Sequence, residues 1–253
     1  MKVVILAGGT GTRLGEYTNN IPKPMVTIGE KPIIWHIMKH YGNYSHNDFI
    51  IALGYKSHVI KKYFINYKLL NSDFSINLKN QKITSYDEDA VDWNVSLINT
   101  GNKSMTGGRL KRLKKYLGNE TFLLTYGDGL SNVNINDLIS FHKKHRKMIT
   151  VTAVRPTARF GELKIQDEKV FNFSEKPQIQ DGWINGGYFV IEPRFLDLIS
   201  DDFTILEKDP MEQAVKMEEL VAYKHEGFWQ CMDTKRDKEL LENLYINNPE
   251  WLY

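Results

Sequence analysis

A glycine-rich loop directly after the first apolar segment constrains this chain most strongly. Val3–Ala7 is apolar throughout, which predicts a buried strand, and the next eight residues, GGTGTRLG, contain four glycines. In an open α/β sheet, ligands bind beyond the carboxyl ends of the strands, where glycines let the backbone approach a phosphate group. The loop therefore predicts a phosphate-binding edge, although a tight strand-to-helix turn would also use glycines for their backbone freedom.

Two common phosphate-binding patterns do not fit this loop. The dinucleotide pattern G-x-G-x-x-G/A, started at Gly9, meets Leu14 where the third small residue belongs, and the sequence contains no G-x-x-x-x-G-K-[ST] motif. The first mismatch argues against a Rossmann oxidoreductase, a hypothesis that tight binding of NAD(P)H would test.

Two cations accompany the loop. Arg13 lies within it, and Lys23 follows ten residues later between Pro22 and Pro24. The prolines exclude helix and predict a stiff extended segment, which suits a cation that must be held where charge develops. The alternative for Lys23 is an ordinary surface lysine in a proline-bounded turn.

Strand and helix patterns alternate along much of the chain. Apolar residues recur at helical spacing over 33–41, DFIIALGY predicts a strand, and a second helical pattern covers 59–67. The alternation resumes with GGRLKRLKKYL, TFLLTYGDG, NINDLISFHKKH and MITVTAV. This order is typical of a parallel sheet with helices on both faces, so we predict a Rossmann-like, doubly wound α/β fold.

The 253 residues suit one main domain, which we predict over 1–253. Within 66–105, the segments FSINLKN, QKITSY and WNVSLI are short and strand-like without a helix between them. They predict an antiparallel excursion from the sheet, and we expect this insertion to carry subunit contacts. Residues 155–253 mix strand and helix patterns and predict a smaller lobe on the same sheet.

Composition excludes several classes of function. The formal charge of +2 is small and its basic residues are dispersed, which argues against a nucleic-acid surface. The lone cysteine, Cys231, excludes an intrachain disulfide framework and fits a reducing compartment. Val3–Ala7 is too short for a signal-peptide core, and no apolar run reaches the ~20 residues of a membrane span. We therefore expect a cytoplasmic protein with no membrane or nucleic-acid partner.

The motifs together resemble one enzyme family. LAGGTGTRL, PKPM and KPIIWHIM are similar to the signature of the sugar-1-phosphate nucleotidyltransferases. TGNKSMTGGRLKR, YGDG, EKP, INGGYFV and GFWQCMDTKRDK resemble the glucose-1-phosphate cytidylyltransferase branch. Each motif alone is weak, but the set is specific and covers nearly the whole chain in order.

This resemblance implies a reaction and a fold of the nucleotide-diphospho-sugar transferase type. The enzyme would transfer CMP from CTP to a phosphorylated small molecule and release pyrophosphate, with α-D-glucose 1-phosphate as the expected acceptor and CDP-glucose as the product. The same chemistry on phosphocholine or a phosphoamino acid such as phosphoglutamine, for modification of a surface polysaccharide, stays open as an alternative. A non-catalytic nucleotide-binding regulatory protein is the alternative from another class.

The catalytic residues implied by the resemblance are Arg13, Lys23, Asp128 and Asp233. Each aspartate follows an apolar strand pattern, in FLLTYGDG and FWQCMDT. Two carboxylates at adjacent strand ends would share Mg²⁺, with Mn²⁺ as a substitute, because these hard cations prefer oxygen ligands. The alternative for either aspartate alone is a helix N-cap.

The resemblance also implies the binding residues. Those for CTP are Leu6, Gly8, Gly9, Thr10, Gly11, Thr12, Arg13, Lys23, Thr100, Gly101, Thr106, Gly107, Arg109 and Asp128. Those for the acceptor are Tyr126, at the start of YGDG, and, in the 155–253 lobe, Glu175, Lys176, Asn185, Gly186 and Trp229. Lys176 would neutralise the acceptor phosphate, and Arg109 would add a further contact to the triphosphate.

Two positions depart from the family pattern on the acceptor side. Glu162 stands where an apolar residue is expected, and Cys231 stands where a proline is expected. An added carboxylate near the acceptor would suit an ammonium-bearing molecule, whereas a solvated strand residue is the alternative that we favour for Glu162. Because relatives with an insertion like 66–105 form oligomers, the resemblance also implies a homo-oligomer.

Overall fold

A seven-stranded sheet forms the centre of this computed structural model, which describes residues 1–86, 91–156, 162–166, 169–174 and 182–253. In spatial order the strands are β14 (Leu220–His225), β10 (Ile149–Val154), β13 (Ile184–Ile191), β8 (Phe122–Tyr126), β1 (Lys2–Ala7), β4 (Asp48–Leu53) and β7 (Asn94–Asn99). All run in one direction except β13, which is antiparallel to both of its neighbours. The prediction of a mostly parallel α/β sheet is confirmed.

Smaller elements surround this sheet. The described residues form four two-stranded antiparallel sheets: β2 (Thr27–Ile28) with β3 (Lys31–Pro32), β5 (Phe74–Asn77) with β6 (Lys82–Ser85), β9 (Gly129–Ser131) with β15 (Trp229–Cys231), and β11 (Glu162–Gln166) with β12 (Lys169–Ser174). The α-helices are α1 (Gly15–Thr18), α2 (Ile33–Asn43), α3 (Ser57–Ile65), α4 (Tyr67–Leu70), α5 (Thr106–Arg112), α6 (Lys114–Leu117), α7 (Ile135–His145), α8 (Asp209–Lys216) and α9 (Lys235–Asn247). Single 3₁₀ segments cover Thr12–Leu14, Lys23–Met25, Pro193–Leu198 and Glu250–Leu252. Across these described ranges, no helix has both the length and the hydrophobicity to cross a membrane.

The sheet is buried on both faces. Because side chains alternate along a strand, Val3 and Ile5 of β1 pack into one apolar cluster with α2, α7 and α9. Val4 and Leu6 point the other way, into a second cluster with α5, α6 and α8. This double burial explains why the central strands are continuous apolar runs instead of alternating patterns.

The segment WNVSLI differs from its prediction. It was expected to belong to the excursion, but β7 pairs with β4 in parallel register and forms one edge of the central sheet. The excursion from the sheet is therefore the β5–β6 hairpin with the short helix α4 before it. The pattern missed this because an edge strand is only half buried, and its alternation resembles that of a free hairpin strand.

Two buried histidines connect α2 to segments that pack against it. His40 is 1% exposed, and its Nε2 lies 2.9 Å from the carbonyl oxygen of Val133. Burial lowers the pKa of His40 to about 4, although the hydrogen bond to Val133 acts in the opposite direction. Burial likewise lowers the pKa of His36, whose Nε2 lies 2.9 Å from the carbonyl oxygen of Ile28. Both rings are therefore neutral in the folded protein at pH 7.

Acidification should destabilise the fold through His40. An unfolded histidine binds a proton near its ordinary pKa of about 6.5, whereas folded His40 resists protonation until about pH 4. Its contribution is complete above pH 6.5 and is lost as the pH falls, with a loss of about 2 kcal/mol between pH 7 and 5. Urea unfolding at both pH values should show a smaller loss for His40→Gln, whose amide keeps a donor for Val133. Equal pH dependence in the two proteins would contradict this account.

Candidate active site

A pocket of about 520 Å³ opens at the carboxyl ends of β1 and β8, where the first loop leaves the sheet. The predicted site residues that line it are Leu6, Gly8, Gly9, Gly11, Arg13, Lys23, Thr106, Arg109, Tyr126, Asp128, Asn185, Gly186, Trp229 and Asp233. Most of the predicted nucleotide and acceptor residues thus meet at one edge of the sheet, although they come from distant parts of the chain.

Other predicted site residues are placed differently. The described residues that line the pocket do not include Thr10, Thr12, Thr100, Gly101 and Gly107. Glu175 and Lys176 lie outside the described residues, and only the backbone of Glu162 is described, at the start of β11. The lining also contains residues that the sequence did not predict as ligand contacts, which are Ala7, Pro24, Ser104, Met105, Thr125, Gly127, Gly129, Gly187, Tyr188 and Cys231. All but Ser104, Tyr188 and Cys231 are direct neighbours of predicted residues.

The first loop turns sharply at Gly11. This residue has φ 64°, in the left-handed region, and it precedes the 3₁₀ segment that contains Arg13. A Cβ at Gly11 would lie 3.0 Å from both Lys23 Cβ and Thr18 Cγ2. Thr18 closes the turn by donating a hydrogen bond to the carbonyl oxygen of Gly11 at 2.9 Å. Glycine at this position therefore lets the loop pack directly against Lys23.

The segment around Lys23 departs from the predicted extended conformation. Pro22 is extended, with φ −70° and ψ 150°, but Lys23–Met25 forms one turn of 3₁₀ helix. Pro24 is tolerated there because the first turn of a helix leaves its N–H groups without helical partners, so the missing N–H costs nothing. Lys23 is only 9% exposed, which contradicts the alternative of a surface lysine.

Lys23 is the centre of a charge cluster. Its Nζ lies 2.6 Å from Asp128 Oδ2 and 2.5 Å from Asp233 Oδ1. Arg13 Nη1 lies 2.7 Å from the other oxygen of Asp233. Burial acts to lower the pKa of Lys23, but the charge of Asp128 and the hydrogen bonds to both carboxylates outweigh it and raise the pKa. Lys23 is therefore a firmly held cation.

Neither aspartate is a helix N-cap. Thr234 caps α9 instead, since its hydroxyl accepts a hydrogen bond from the N–H of Asp237 and the Asp237 carboxylate accepts one from Thr234 N. Asp128 is followed by strand β9, not by a helix. Antiparallel pairing of β9 with β15 then brings the two aspartates together, because Gly129 pairs with Cys231.

The same place has the donor set of a cation site. In the part of the chain that the structure describes, ligand atoms of Asp128, Asp233 and Cys231 all lie within 4.8 Å of one another. Burial, reinforced by Asp128, raises the pKa of the Cys231 thiol, so the two carboxylates carry the negative charge. Oxygen donors of this kind suit a hard divalent cation.

Arg109 contacts the backbone around the pocket. It is 5% exposed and donates from Nη1 to Thr100 Oγ1 at 3.0 Å and to the carbonyl oxygen of Gly101 at 2.6 Å. Its Nη2 donates to the carbonyl oxygen of Gly8 at 2.9 Å, and Thr100 in turn donates to the carbonyl oxygen of Leu53 at 2.8 Å. Thr100 and Gly101 therefore lie behind Arg109, where they support it.

The prediction that Gly107 faces the ligand is not matched by its position. A Cβ at Gly107 would lie 2.8 Å from the carbonyl oxygen of Thr204, and one at Gly108 would lie 2.2 Å from that of Asp202. Both glycines therefore let α5 pack closely on the segment 202–206. The sequence could not distinguish this packing from a close approach to a ligand, because both require a missing side chain.

Hydrogen bonds fix the opposite wall of the pocket. Asn185 Nδ2 donates to the Tyr126 hydroxyl at 3.1 Å, and Asn185 Oδ1 accepts from the N–H of Gly187 at 2.8 Å. Trp229 Nε1 donates to the carbonyl oxygen of Gly186 at 2.7 Å. The Asn185 amide is thus held by both ends at the wall that the sequence predicts for the acceptor.

Comparison with known proteins gives consistent matches over nearly the full length. The family model described as nucleotidyl transferase matches residues 2–237. Glucose-1-phosphate cytidylyltransferase from Salmonella typhi is 50% identical over 246 residues, which cover 97% of this chain and 96% of that protein. A Bacillus subtilis protein, named a probable glucose-1-phosphate cytidylyltransferase, is 44% identical over 243 residues, with 96% and 94% covered. The solved structure of HddC from Yersinia pseudotuberculosis in complex with GMP-PN has a TM-score of 0.70 at 23% identity, with 96% and 99% covered, and supports the fold.

Replacing Arg109 by Lys should destabilise the protein. A lysine presents its donors from a single nitrogen and lacks the planar fork with which Arg109 donates to the carbonyl oxygens of Gly8 and Gly101, so at least one of these charge-assisted hydrogen bonds is lost. We expect a loss of roughly 2–3 kcal/mol in the free energy of unfolding, measured with urea. Arg112→Lys, in the same helix but at an exposed ion pair with Asp202, is the control and should change stability much less. Equal effects would show that the buried contacts of Arg109 do not matter.

Proposed function

Because this chain belongs to the nucleotidyl transferase family, we propose that it transfers CMP from CTP to α-D-glucose 1-phosphate, which gives CDP-glucose and pyrophosphate. The observation that carries the reaction type is the cluster of Lys23 with Asp128 and Asp233 in the pocket at the sheet edge. The choice of CTP and the sugar phosphate follows the names of the two relatives that match nearly the whole chain.

The chemistry needs positioning more than proton transfer. An oxygen of the acceptor phosphate attacks the α-phosphorus of CTP, and the bond from that phosphorus to the bridging oxygen breaks as pyrophosphate leaves. The second pKa of a phosphate monoester is about 6, so the nucleophile is largely a dianion at neutral pH and requires no general base. Catalysis of such transfers rests on alignment and on neutralising the phosphate charge.

Lys23 and Arg13 would provide protein cations for this neutralisation. Lys23 is nearly buried and held by two carboxylates, so it is preorganised to contact the α- and β-phosphates where negative charge increases during transfer. Arg13 has a side chain that is 73% exposed, which leaves it able to reach the triphosphate from the mouth of the pocket.

The carboxylates of Asp128 and Asp233 would hold Mg²⁺, or Mn²⁺ in its place. The site fits such an ion because two oxygen donors already converge on the positive charge of Lys23. When bound, the ion would neutralise triphosphate charge and stabilise the departing pyrophosphate.

The remaining contacts divide between the two substrates. Leu6, Gly8, Gly9 and Gly11 provide backbone near the nucleotide, and Thr106 stands on the side that we assign to the base. Tyr126, Asn185, Gly186 and Trp229 form the acceptor wall. The roles of Glu175 and Lys176 at the acceptor stay predictions from the sequence.

We further propose a homo-oligomer in the cytoplasm. The β5–β6 hairpin and its flanks expose apolar side chains, a feature typical of interaction surfaces. These side chains are Leu70, Phe74, Ile76, Leu78, Ile83 and Tyr86. The single cysteine of the sequence agrees with a reducing compartment.

Pyrophosphate release should identify both substrates. The purified protein would be assayed with Mg²⁺ and each of CTP, UTP, dTTP, ATP and GTP, against glucose 1-phosphate, other hexose 1-phosphates, phosphocholine and phosphoglutamine. We expect fast release with CTP and glucose 1-phosphate and loss of release when the metal is chelated. Release only with a non-sugar phosphate would overturn the acceptor, and no release with any pair would overturn the enzymatic function.

Replacing Lys23 by Ala should reduce turnover by roughly 10²–10³-fold, because one preorganised donor to the transition state is lost. The stopped-flow or steady-state rate of pyrophosphate release at saturating CTP would measure the effect. Lys216→Ala, which removes the same charge from the surface of α8, should retain full turnover. A rate for Lys23→Ala within a few fold of the unaltered protein would exclude this role.

A further inference from the structure

A carboxylate at the pocket rim connects the two walls of the site. Glu207 lies in the segment between the 3₁₀ turn Pro193–Leu198 and α8, and it is not among the described residues that line the pocket. Its Oε2 accepts a hydrogen bond from Thr106 Oγ1 at 2.7 Å, and its Oε1 accepts one from the Tyr126 hydroxyl. Thr106 and Tyr126 both line the pocket, from α5 and from the end of β8.

On the nucleotide side, Glu207 completes the bonding of Thr106. The Thr106 hydroxyl accepts a hydrogen bond from the N–H of Leu206 at 2.9 Å and donates one to Glu207. A further hydrogen bond joins the same two segments, because the N–H of Gly108 donates to the carbonyl oxygen of Thr204 at 3.2 Å. The start of α5 and the segment 204–207 are therefore fastened to each other.

On the acceptor side, Glu207 acts through Tyr126. Burial, reinforced by the carboxylate of Glu207, raises the pKa of Tyr126, so the phenol keeps its proton and donates a hydrogen bond to Glu207. With its proton directed there, the phenol oxygen accepts from Asn185 Nδ2. This bond uses one of the two N–H groups of Asn185, and the other is left for a hydroxyl of the acceptor.

We propose that Glu207 is a positioning residue that fixes Thr106 and Asn185 together, and so couples the nucleotide wall to the acceptor wall. This inference rests on the proposed function. A carboxylate suits the task because its two oxygens accept from two donors at once. Without Glu207, the Tyr126 hydroxyl has no fixed proton direction, and the Asn185 amide loses the orientation that presents its free N–H.

The expected consequence is weaker binding of both substrates with little change in the chemical step. Loss of contacts that are equally strong in the ground state and in the transition state raises KM and leaves kcat unchanged. Among the described residues, no hydrogen bond or ion pair joins Glu207 to Lys23, Asp128 or Asp233. Its loss should therefore not alter the neutralisation of phosphate charge.

The test compares Glu207→Ala, Glu207→Gln and the control Glu120→Ala. Glu120 is an exposed carboxylate just before β8, at the end of that strand away from the pocket, so its removal gives the same change in net charge. For Glu207→Ala we expect KM to rise about three- to tenfold for CTP and for glucose 1-phosphate, a size typical of one or two lost hydrogen bonds. Glu207→Gln can still accept from Tyr126 and donate to Thr106, and should restore most of the affinity.

Tyr126→Phe separates the coupling from a merely local effect. In that background the path from Glu207 to Asn185 is already broken, so adding Glu207→Ala should raise KM for CTP but not further for the acceptor. Equal values for Glu207→Ala and Glu120→Ala, or additive effects on the acceptor, would overturn the role of Glu207 while the unaltered protein remains active. Absence of turnover in the unaltered protein would overturn the proposed function and this inference with it.

Discussion

The guanidinium of Arg109 is the interaction on which the pocket depends. Parallel strands bring their carboxyl ends to one edge, but they leave carbonyl oxygens there without partners in the sheet. Arg109 donates hydrogen bonds to the carbonyl oxygens of Gly8 and Gly101. It also donates to the hydroxyl of Thr100, which in turn donates to the carbonyl oxygen of Leu53. One side chain from α5 thus joins the segments that follow β1 and β7 to the end of β4, where Arg109 also donates to the carbonyl oxygen of Leu53 at 3.3 Å. The first loop can be rich in glycine because a side chain from elsewhere in the chain holds its backbone.

The positive and negative charges in the cluster around Lys23 cancel each other. Lys23 and Arg13 offset Asp128 and Asp233, so the four side chains together carry no net charge. In the proposed function, a triphosphate bound here would meet cations that are already oriented, and a divalent ion would meet carboxylates that are already close together. Both binding arrangements are therefore formed before the triphosphate or the ion arrives. The free energy needed to bring like charges together is supplied when the protein folds.

The sequence was sufficient for most of the order of strands and helices, because apolar period and length distinguish buried strands from amphipathic helices, but it assigned WNVSLI to the excursion instead of to the central sheet. It also identified Lys23, Asp128 and Asp233 as candidates, since each stands in a motif that resembles a known family. The sequence could not distinguish residues that line the pocket from residues that pack behind this lining. Gly107 and Gly101 look alike in sequence, yet Gly107 packs on Thr204 and Gly101 binds Arg109. Glu207 was not identified because its partners are about 80 to 100 residues away and no local pattern marks it.

The reversed strand β13 determines how the pocket is divided. In a sheet whose other strands run one way, β13 brings its beginning to the edge where its neighbours end, and Asn185 pairs there with Ala153 of β10. Residues Asn185–Gly187 lie in the first half of β13 and enter the site at the start of that strand, whereas the first loop enters from the chain that follows β1. The two walls have separate origins along the polypeptide. Evolution can therefore alter the residues at the start of β13, and with them the acceptor wall that we propose, while the strands and loops of the proposed nucleotide wall remain unchanged.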